Sequence, residues 1–495
     1  MGLLIDRDSF SSQDFRRYNS RLNQNLKALQ KMMAQPGFGQ FNGGRKIGAE
    51  LEIYIIDDEG RPAFFNGEIH DELKDPQLTL ELNRFNLEYN LKPVALRSKP
   101  FSNMAKEIRG ALTRIDRVAQ KYNSSTLPIG ILPTAREADF GYHAMTDIAR
   151  YRALTNGLRD LRGGPFHIEI EGKDFLKLDM QDVTLEGANT SLQVHLQVLP
   201  EEFADYYNAL QLITPLAVAI SANSRFVFGH RLWHETRIPL FKQSIDCRRY
   251  DPLRPQPARV NYGHSWVRES AFELFSEAVR LYEPLLPICG DEDPLACVSA
   301  GGTPQLEELR LQQGSVWFWN RPVYDAAEGG HLRIEARALP AGPTVSDMNA
   351  NIVLLLGLME LFRRDIRVLL PAMPFEYCVR NFHSAAQLGL DAELIWPNAR
   401  QTRPEYVTCR ELLEQLLEKL PDGLDALGIA ESEYKSALAI LGARLSSGQT
   451  GAVWQLEAYE HLRRNCDREQ AISQMVRLYQ QNSRGGRPVH EWSVA

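Results

Sequence analysis

Two textures of apolar and polar residues alternate along the chain. Residues 46–57, 78–82, 87–91, 191–199 and 331–339 switch between apolar and polar one for one, as a strand does when one face meets a core and the other meets water. Residues 102–122, 146–161, 201–222, 265–286 and 346–369 instead carry apolar residues at helical spacing. The last of these is headed by Ser346 with Asp347 in its first turn, which predicts a cap. Phe15, Leu22, Leu26, Leu29 and Met33 predict a helix over 9–34, begun by Ser11 or Ser12. The stretch from Pro36 to Gly44 reads as a turn-rich linker. Its glycines do not make a phosphate loop, because no strand precedes them and no Lys-Ser/Thr follows. Alternating strands among helices predict an α+β fold with an antiparallel sheet covered on one side. Beyond Pro371–Pro374 the texture turns helical, near 407–420, 432–445, 450–464 and 468–481, and Arg484–Pro488 reads as a loose tail. The expected division is an N-terminal helix and linker (1–45), one large unit (46–375) and a helical C-terminal region (376–495).

Side chains two apart on a strand share a face. On the first strand Glu50 and Glu52 oppose Leu51 and Ile53, and downstream Glu81 and Glu88 fall on the polar faces of two strands close enough to pair. Ser191, Gln193, His195 and Gln197 share a face, as do Arg333, Glu335 and Arg337. An ordinary solvated face carries Lys, Thr and Ser, with charges of both signs mixed along it. Here the first three strands carry four glutamates and no Lys or Arg on that face. Neighbouring carboxylates repel unless a positive charge lies between them, and oxygen-rich clusters hold hard divalent cations that also coordinate phosphates. His195 is either a further ligand or a hydrogen-bonding member of the face. Arginines beside such a cluster, here Arg333 and Arg337 with Arg225, Arg231 and Arg237 upstream, suit carboxylate or phosphate oxygens. Together they are what ATP-dependent phosphoryl transfer requires.

Composition narrows the classes. The chain has 495 residues, 56 Lys+Arg against 63 Asp+Glu and a net charge of −7, which argues against a dedicated nucleic-acid or membrane-surface binder. The six cysteines contain no CxxC and none precedes Cys247, so neither a disulfide framework nor a zinc ribbon is expected. The N-terminus lacks the apolar core of a signal peptide, and the apolar run 352–359 is too short for a bilayer span. A soluble cytoplasmic protein is the expectation.

The segments GAELE (48–52), LELNRFNLEYNLKP (80–93), LQVHLQV (192–198), ANSRFVFG with HETRIPLF (222–241) and RIEARALPAGPTVSDMNAN (333–351) resemble, in order and spacing, the glutamate–cysteine ligase type 2 family of carboxylate–amine ligases. The resemblance covers roughly residues 46–365. It implies a glutamine-synthetase-like fold, a curved antiparallel sheet with flanking helices. It further implies an ATP-dependent ligase that forms an amide or γ-glutamyl bond through an acyl phosphate, with two or three Mg²⁺ ions and Mn²⁺ as a substitute. By the same resemblance Glu50, Glu52, Glu81, Glu88, His195 and Glu335 are the metal ligands. Arg337, Arg237 and Glu335 act on the reacting groups, and Arg333, Arg225 and Gln193 hold the nucleotide. Tyr151 and Arg152 match a pair that opens a helix in the family. The implied substrates are glutamate or another carboxylate and an amine such as cysteine, with no nucleic acid or membrane partner and a homo-oligomer left open. The chain departs from the family at Ile131-Leu132-Pro133-Thr134, where a histidine-bearing turn is usual. It also lacks a second histidine after His195 and carries the additional residues 376–495.

A guanidino-kinase-like phosphotransferase, a metal hydrolase and a non-catalytic nucleotide-binding homologue are the rival readings. His230 and His234 stand four apart outside any HExxH context, and ordinary histidines are expected there. Trp317, Phe318 and Trp319 read as packing residues and not as a base-stacking platform. Cys247 beside Arg248 and Arg249 reads as structural, although adjacent cations can lower a thiol pKa.

Overall fold

Leu51, Ile53, Val194, Leu196, Ile334 and Ala336 are buried with almost no exposure, and they alternate with the polar residues described above. That alternation forces every strand to present one aliphatic face, and the strands assemble accordingly. The computed structural model describes residues 5, 7–41, 43–249, 253, 255–397 and 403–494. Part of the N-terminal stretch read as leaderless, residues 1–4 and 6, lies outside the described residues.

The central sheet contains β1 (Lys46–Asp57), β2 (Leu78–Leu80), β3 (Asn86–Asn90), β4 (Val94–Ala95), β5 (Ser124–Leu127), β6 (Leu192–Val198), β7 (Asn320–Asp325) and β8 (His331–Ala336). Its order is β7-β8-β6-β1-β3-β2, with β4 and β5 also paired to β1. Every pairing is antiparallel. Register places Glu50 opposite Asn90 and Gln193, Glu52 opposite Glu88, and Glu335 opposite His195. The expected curved antiparallel α+β sheet is therefore the one observed.

Helices cover the aliphatic face. Phe203–Ser221 lies against β7 and β8 and against Val345–Arg363, while Pro100–Ala119 packs on β5. Val345–Arg363 is long and apolar enough to cross a membrane, yet most of it is buried at the centre of the fold. The helices Leu420–Ala426 and Glu431–Ser447 pack on it. Gly357 and Gly423 meet backbone to backbone there, and a Cβ at Gly423 would collide with the Gly357 carbonyl. Gly423→Ala is expected to destabilise the protein by about 1–3 kcal/mol through overpacking, read from urea unfolding; an unchanged midpoint contradicts this packing.

Four expectations are corrected. The cap of the 345–363 helix is Thr344, not Ser346: Thr344 has extended backbone and its hydroxyl accepts from the Asp347 amide at 3.1 Å. The helix expected over 265–286 forms only at Phe272–Arg280. The amides of Arg268, Glu269 and Ser270 are instead drawn onto the Glu273 carboxylate. The tail is not loose. Helix continues to Gly485, Trp492 packs edge-on against Trp454 and Tyr479, and the Val489 amide donates to Asp347. Finally, the polar face of the sheet is only partly open to water, with Glu50, Glu52, Glu81 and Glu88 half-buried. All seven residues of β6 are buried, because the sheet curls and the helices Ala149–Arg162 and Glu307–Gln313 place Arg150, Tyr151 and Arg310 over it.

Candidate active site on the polar face of the sheet

The six residues expected to hold metal separate into two groups of three. Glu50, His195 and Glu335 each offer a ligand atom within 4.8 Å of the others, and Glu52, Glu81 and Glu88 do the same. Strand geometry explains the split. Glu50 and Glu52 share the polar face of β1 but stand two residues apart along it, so Glu50 meets His195 and Glu335 while Glu52 stands opposite Glu88 on β3. Glu81 lies just past β2 and reaches the group from the turn that follows.

The first group is balanced by cations. His195 Nε2 stands 3.0 Å from Glu50 Oε1. Glu335 is fully buried, with Arg321 at 2.7 Å from Oε2 and Arg337 on Oε1. Burial alone would raise the Glu335 pKa, but the two guanidiniums and His195 outweigh it and hold the carboxylate ionised well below the usual range. Burial likewise opposes ionisation of Glu50, and His195 overcomes it, giving a lowered pKa.

The second group has no such balance. Burial, followed by the neighbouring carboxylates, raises Glu81 well above its ordinary value and Glu88 to about 8. Glu52 is raised by burial, partly offset by Arg337 and Arg237. Hydrogen bonds orient these oxygens: Glu52 accepts from the Ser191 amide at 2.7 Å and from Gln193 Nε2 at 2.8 Å, and Glu88 accepts from Asn90 and Thr79. Three carboxylates with no internal cation, beside a buried imidazole lacking any well-aligned hydrogen bond, fit a hard divalent cation in chemistry and in charge.

Gln193 joins the groups, donating to Glu52 and accepting from Arg337. Two cavities open onto this face. One of about 460 Å³ is lined by Glu52, Glu81, Glu88, Gln193, Tyr151 and Arg337 among others. The second, of about 290 Å³, is lined by Lys46, Gly48, His195, Gln197 and His331 among others. Glu50 and Arg333 line both, so the cavities adjoin at the first group.

Two expected site residues stand elsewhere. Arg237 is 2% exposed and lines neither cavity: its guanidinium holds Glu235 and the carbonyl oxygens of Arg337 and Ala338, bracing the chain just past β8. Arg225 is buried near Arg231 and Glu460, also away from both cavities, and burial lowers its pKa to about 10. Arg333 is in place but ion-paired to Asp325 at 2.7 Å. Arg152 pairs with Asp147 at the surface, whereas its neighbour Tyr151 lines the larger cavity and donates to the Leu80 carbonyl at 2.8 Å.

Sequence reasoning missed Arg321, Arg150, Arg310 and Glu186, all lining the larger cavity. Arg321 was reachable, since β7 and β8 form a hairpin and Arg321 faces Glu335. The other three come from helices and a loop with no period of two. His230 and His234 belong to no metal-competent group among the described residues. Trp319 packs on Phe241 as expected, while Trp317 packs on Phe241 and also borders the larger cavity. Cys247 is buried.

The sequence pattern of the family described as glutamate-cysteine ligase family 2 matches residues 46–479. Among solved structures, glutamate–cysteine ligase from Francisella tularensis in complex with AMP is similar with a TM-score of 0.55 and 11% identity, covering 92% of this chain and 91% of that one. A bifunctional glutathione synthetase from Pasteurella multocida gives a TM-score of 0.49 and 10% identity over 94% of this chain and 55% of that one. No curated protein matches the sequence. With its curled antiparallel sheet of the glutamine-synthetase-like type, the chain belongs to glutamate-cysteine ligase family 2, a family of carboxylate–amine ligases.

Proposed function

We propose that the protein is an ATP- and Mg²⁺-dependent carboxylate–amine ligase that joins glutamate to an amine, with cysteine the leading candidate. The observation that carries this reading is the pair of three-donor groups on one sheet face, bridged by Gln193 and Arg337. The AMP held by the Francisella tularensis enzyme supports an adenine nucleotide as the co-substrate.

Glu50, His195 and Glu335 would hold one divalent cation and Glu52, Glu81 and Glu88 another. Bound there, the cations would offset the charge of the ATP phosphates and of the substrate carboxylate. A carboxylate resists amine attack because its carbon is electron-rich. The γ-carboxylate oxygen therefore attacks the terminal phosphorus of ATP, the bond to ADP breaks, and an acyl phosphate forms. The amine then attacks the acyl carbon, inorganic phosphate leaves with the bonding electrons, and the nitrogen loses its surplus protons to give the amide. Arg337, bonded to Glu335 and Gln193, would stabilise the transferred phosphoryl oxygens. Glu335, itself paired with Arg321, holds it there, and Arg333 stands where the cavities adjoin.

The carboxylates also set a pH dependence. Glu88 rises from 4.5 to about 8 in the folded protein, first through burial and then through the neighbouring glutamates. Between those values the native state holds protons that the unfolded chain releases, so metal-free stability falls as pH rises. A divalent cation takes the place of those protons. The Mg²⁺-induced rise in melting temperature is therefore expected to be larger at pH 8 than at pH 6, and a rise that shrinks with pH contradicts the metal assignment.

The function itself is tested by incubating the protein with ATP, Mg²⁺, glutamate and a panel of amines. The expected result is ADP and phosphate in equal amounts, both dependent on glutamate and amine. ADP release without phosphate would make the protein a phosphotransferase, and the absence of Mg²⁺-dependent nucleotide binding would remove catalysis altogether.

A further inference from the structure

One carboxylate of the larger cavity stands apart from the two metal-competent groups. Among the described residues, Glu50, Glu52, Glu81 and Glu88 each have a protein partner on their carboxylate oxygens. Glu186 lines the same cavity, belongs to neither group, and its carboxylate has no hydrogen bond or ion pair.

Its backbone, by contrast, is pinned. The short turn Thr184–Ala188 begins at Asp182, whose Oδ1 accepts from the Thr184 amide and hydroxyl at 2.9 and 2.5 Å. Asn83 Nδ2 donates to the Thr184 carbonyl at 2.8 Å, and Asn189 Nδ2 donates to the Glu186 carbonyl at 2.8 Å. Gly187 lies so close to the Asn83 amide group that any Cβ would collide with it. The main chain of the turn is thus held by hydrogen bonds while the side chain, among the described residues, has no protein partner. The half-buried carboxylate therefore faces the cavity with its hydrogen-bonding capacity unused by the protein.

Position selects the ligand. Glu186 lies within electrostatic reach of Glu52 and Arg337, and it acts on Glu81 and Tyr151 in turn. It therefore borders the zone between the second carboxylate group and Arg337, where the acyl phosphate would lie. The group that must arrive there is the nucleophilic amine, which at neutral pH is an ammonium with three donors and one positive charge. We infer that Glu186 is the docking residue for the ammonium of the amine substrate, and so sets a preference for cationic amines over neutral nucleophiles.

This inference rests on the ligase reading, and its test separates the two. The protein and its Glu186→Gln and Glu186→Asp variants are supplied with ATP, Mg²⁺ and glutamate. Cysteine serves as the cationic amine, and hydroxylamine, uncharged at neutral pH, as the neutral nucleophile. Glu186→Gln is expected to lower the ratio of kcat/KM for cysteine over hydroxylamine by about 10- to 100-fold, the worth of one charge-assisted hydrogen bond. Glu186→Asp, which keeps the charge, is expected to recover most of that ratio. An equal loss with both nucleophiles, an unchanged ratio, or a shifted Mg²⁺ requirement in place of a shifted ratio overturns the role of Glu186 alone. No product from the unaltered protein with either nucleophile overturns the ligase reading and this inference with it.

Discussion

Glu52→Gln is expected to lower amide formation by at least about 100-fold, the loss typical of removing one preorganised charge-stabilising group, while leaving the metal-free protein as stable as before or more so. The side chain keeps its shape, so the Ser191 amide at 2.7 Å retains an oxygen to donate to. What disappears is one of three carboxyl groups that push one another's pKa upward. A site that pays for function with strain behaves in this way, and loosening it relieves the fold at the expense of activity. Initial rates and thermal unfolding without metal check both halves. Full activity, or a large loss of stability, contradicts the account of this group.

Glu335→Ala is expected to fail differently, losing activity and about 3–5 kcal/mol of stability together. Glu335 has no exposed surface and stands between Arg321 and Arg337, 2.7 Å from the first and in contact with the second. Removing it leaves two guanidiniums with an uncompensated charge, and Arg337 loses the partner that aims it. Urea unfolding of the variant measures the cost. A variant as stable as the parent would mean that the arginines find other partners, and that Arg337 is not held by Glu335. The contrast between the two substitutions follows from charge balance: one group is built of carboxyls alone, the other is neutralised by cations.

Much of this face was legible in the chain because a strand reports its two sides directly. Glu50, Glu52, Glu88, His195 and Glu335 could be assigned to one surface from the period of two alone, and register then brings Glu52 to Glu88 and His195 to Glu335. Where the signal was not periodic, legibility failed. Arg150, Arg310 and Glu186 come from helices and a turn that roof or flank the sheet, and nothing local marks them as cavity residues. Arg225 and Arg237 looked like ligand-binding arginines because the residue type suits anions. In the fold both are buried and line neither cavity, and Arg237 serves main-chain carbonyls. The exposure of the polar face was also misjudged, since alternation tells which residues share a side and not what covers it. The docked tail belongs to the same class: Trp492 finds Trp454 and Tyr479 only once the helices of the C-terminal region have assembled.

The most direct test of the central claim is the fate of the carboxylate oxygen. Glutamate labelled with oxygen-18 in its γ-carboxylate, turned over with ATP, Mg²⁺ and amine, is expected to deliver one labelled oxygen to each inorganic phosphate released, because that oxygen bridges carbon and phosphorus in the acyl phosphate. Turnover that yields amide or ADP with unlabelled phosphate would contradict activation of the carboxylate by phosphoryl transfer on this face.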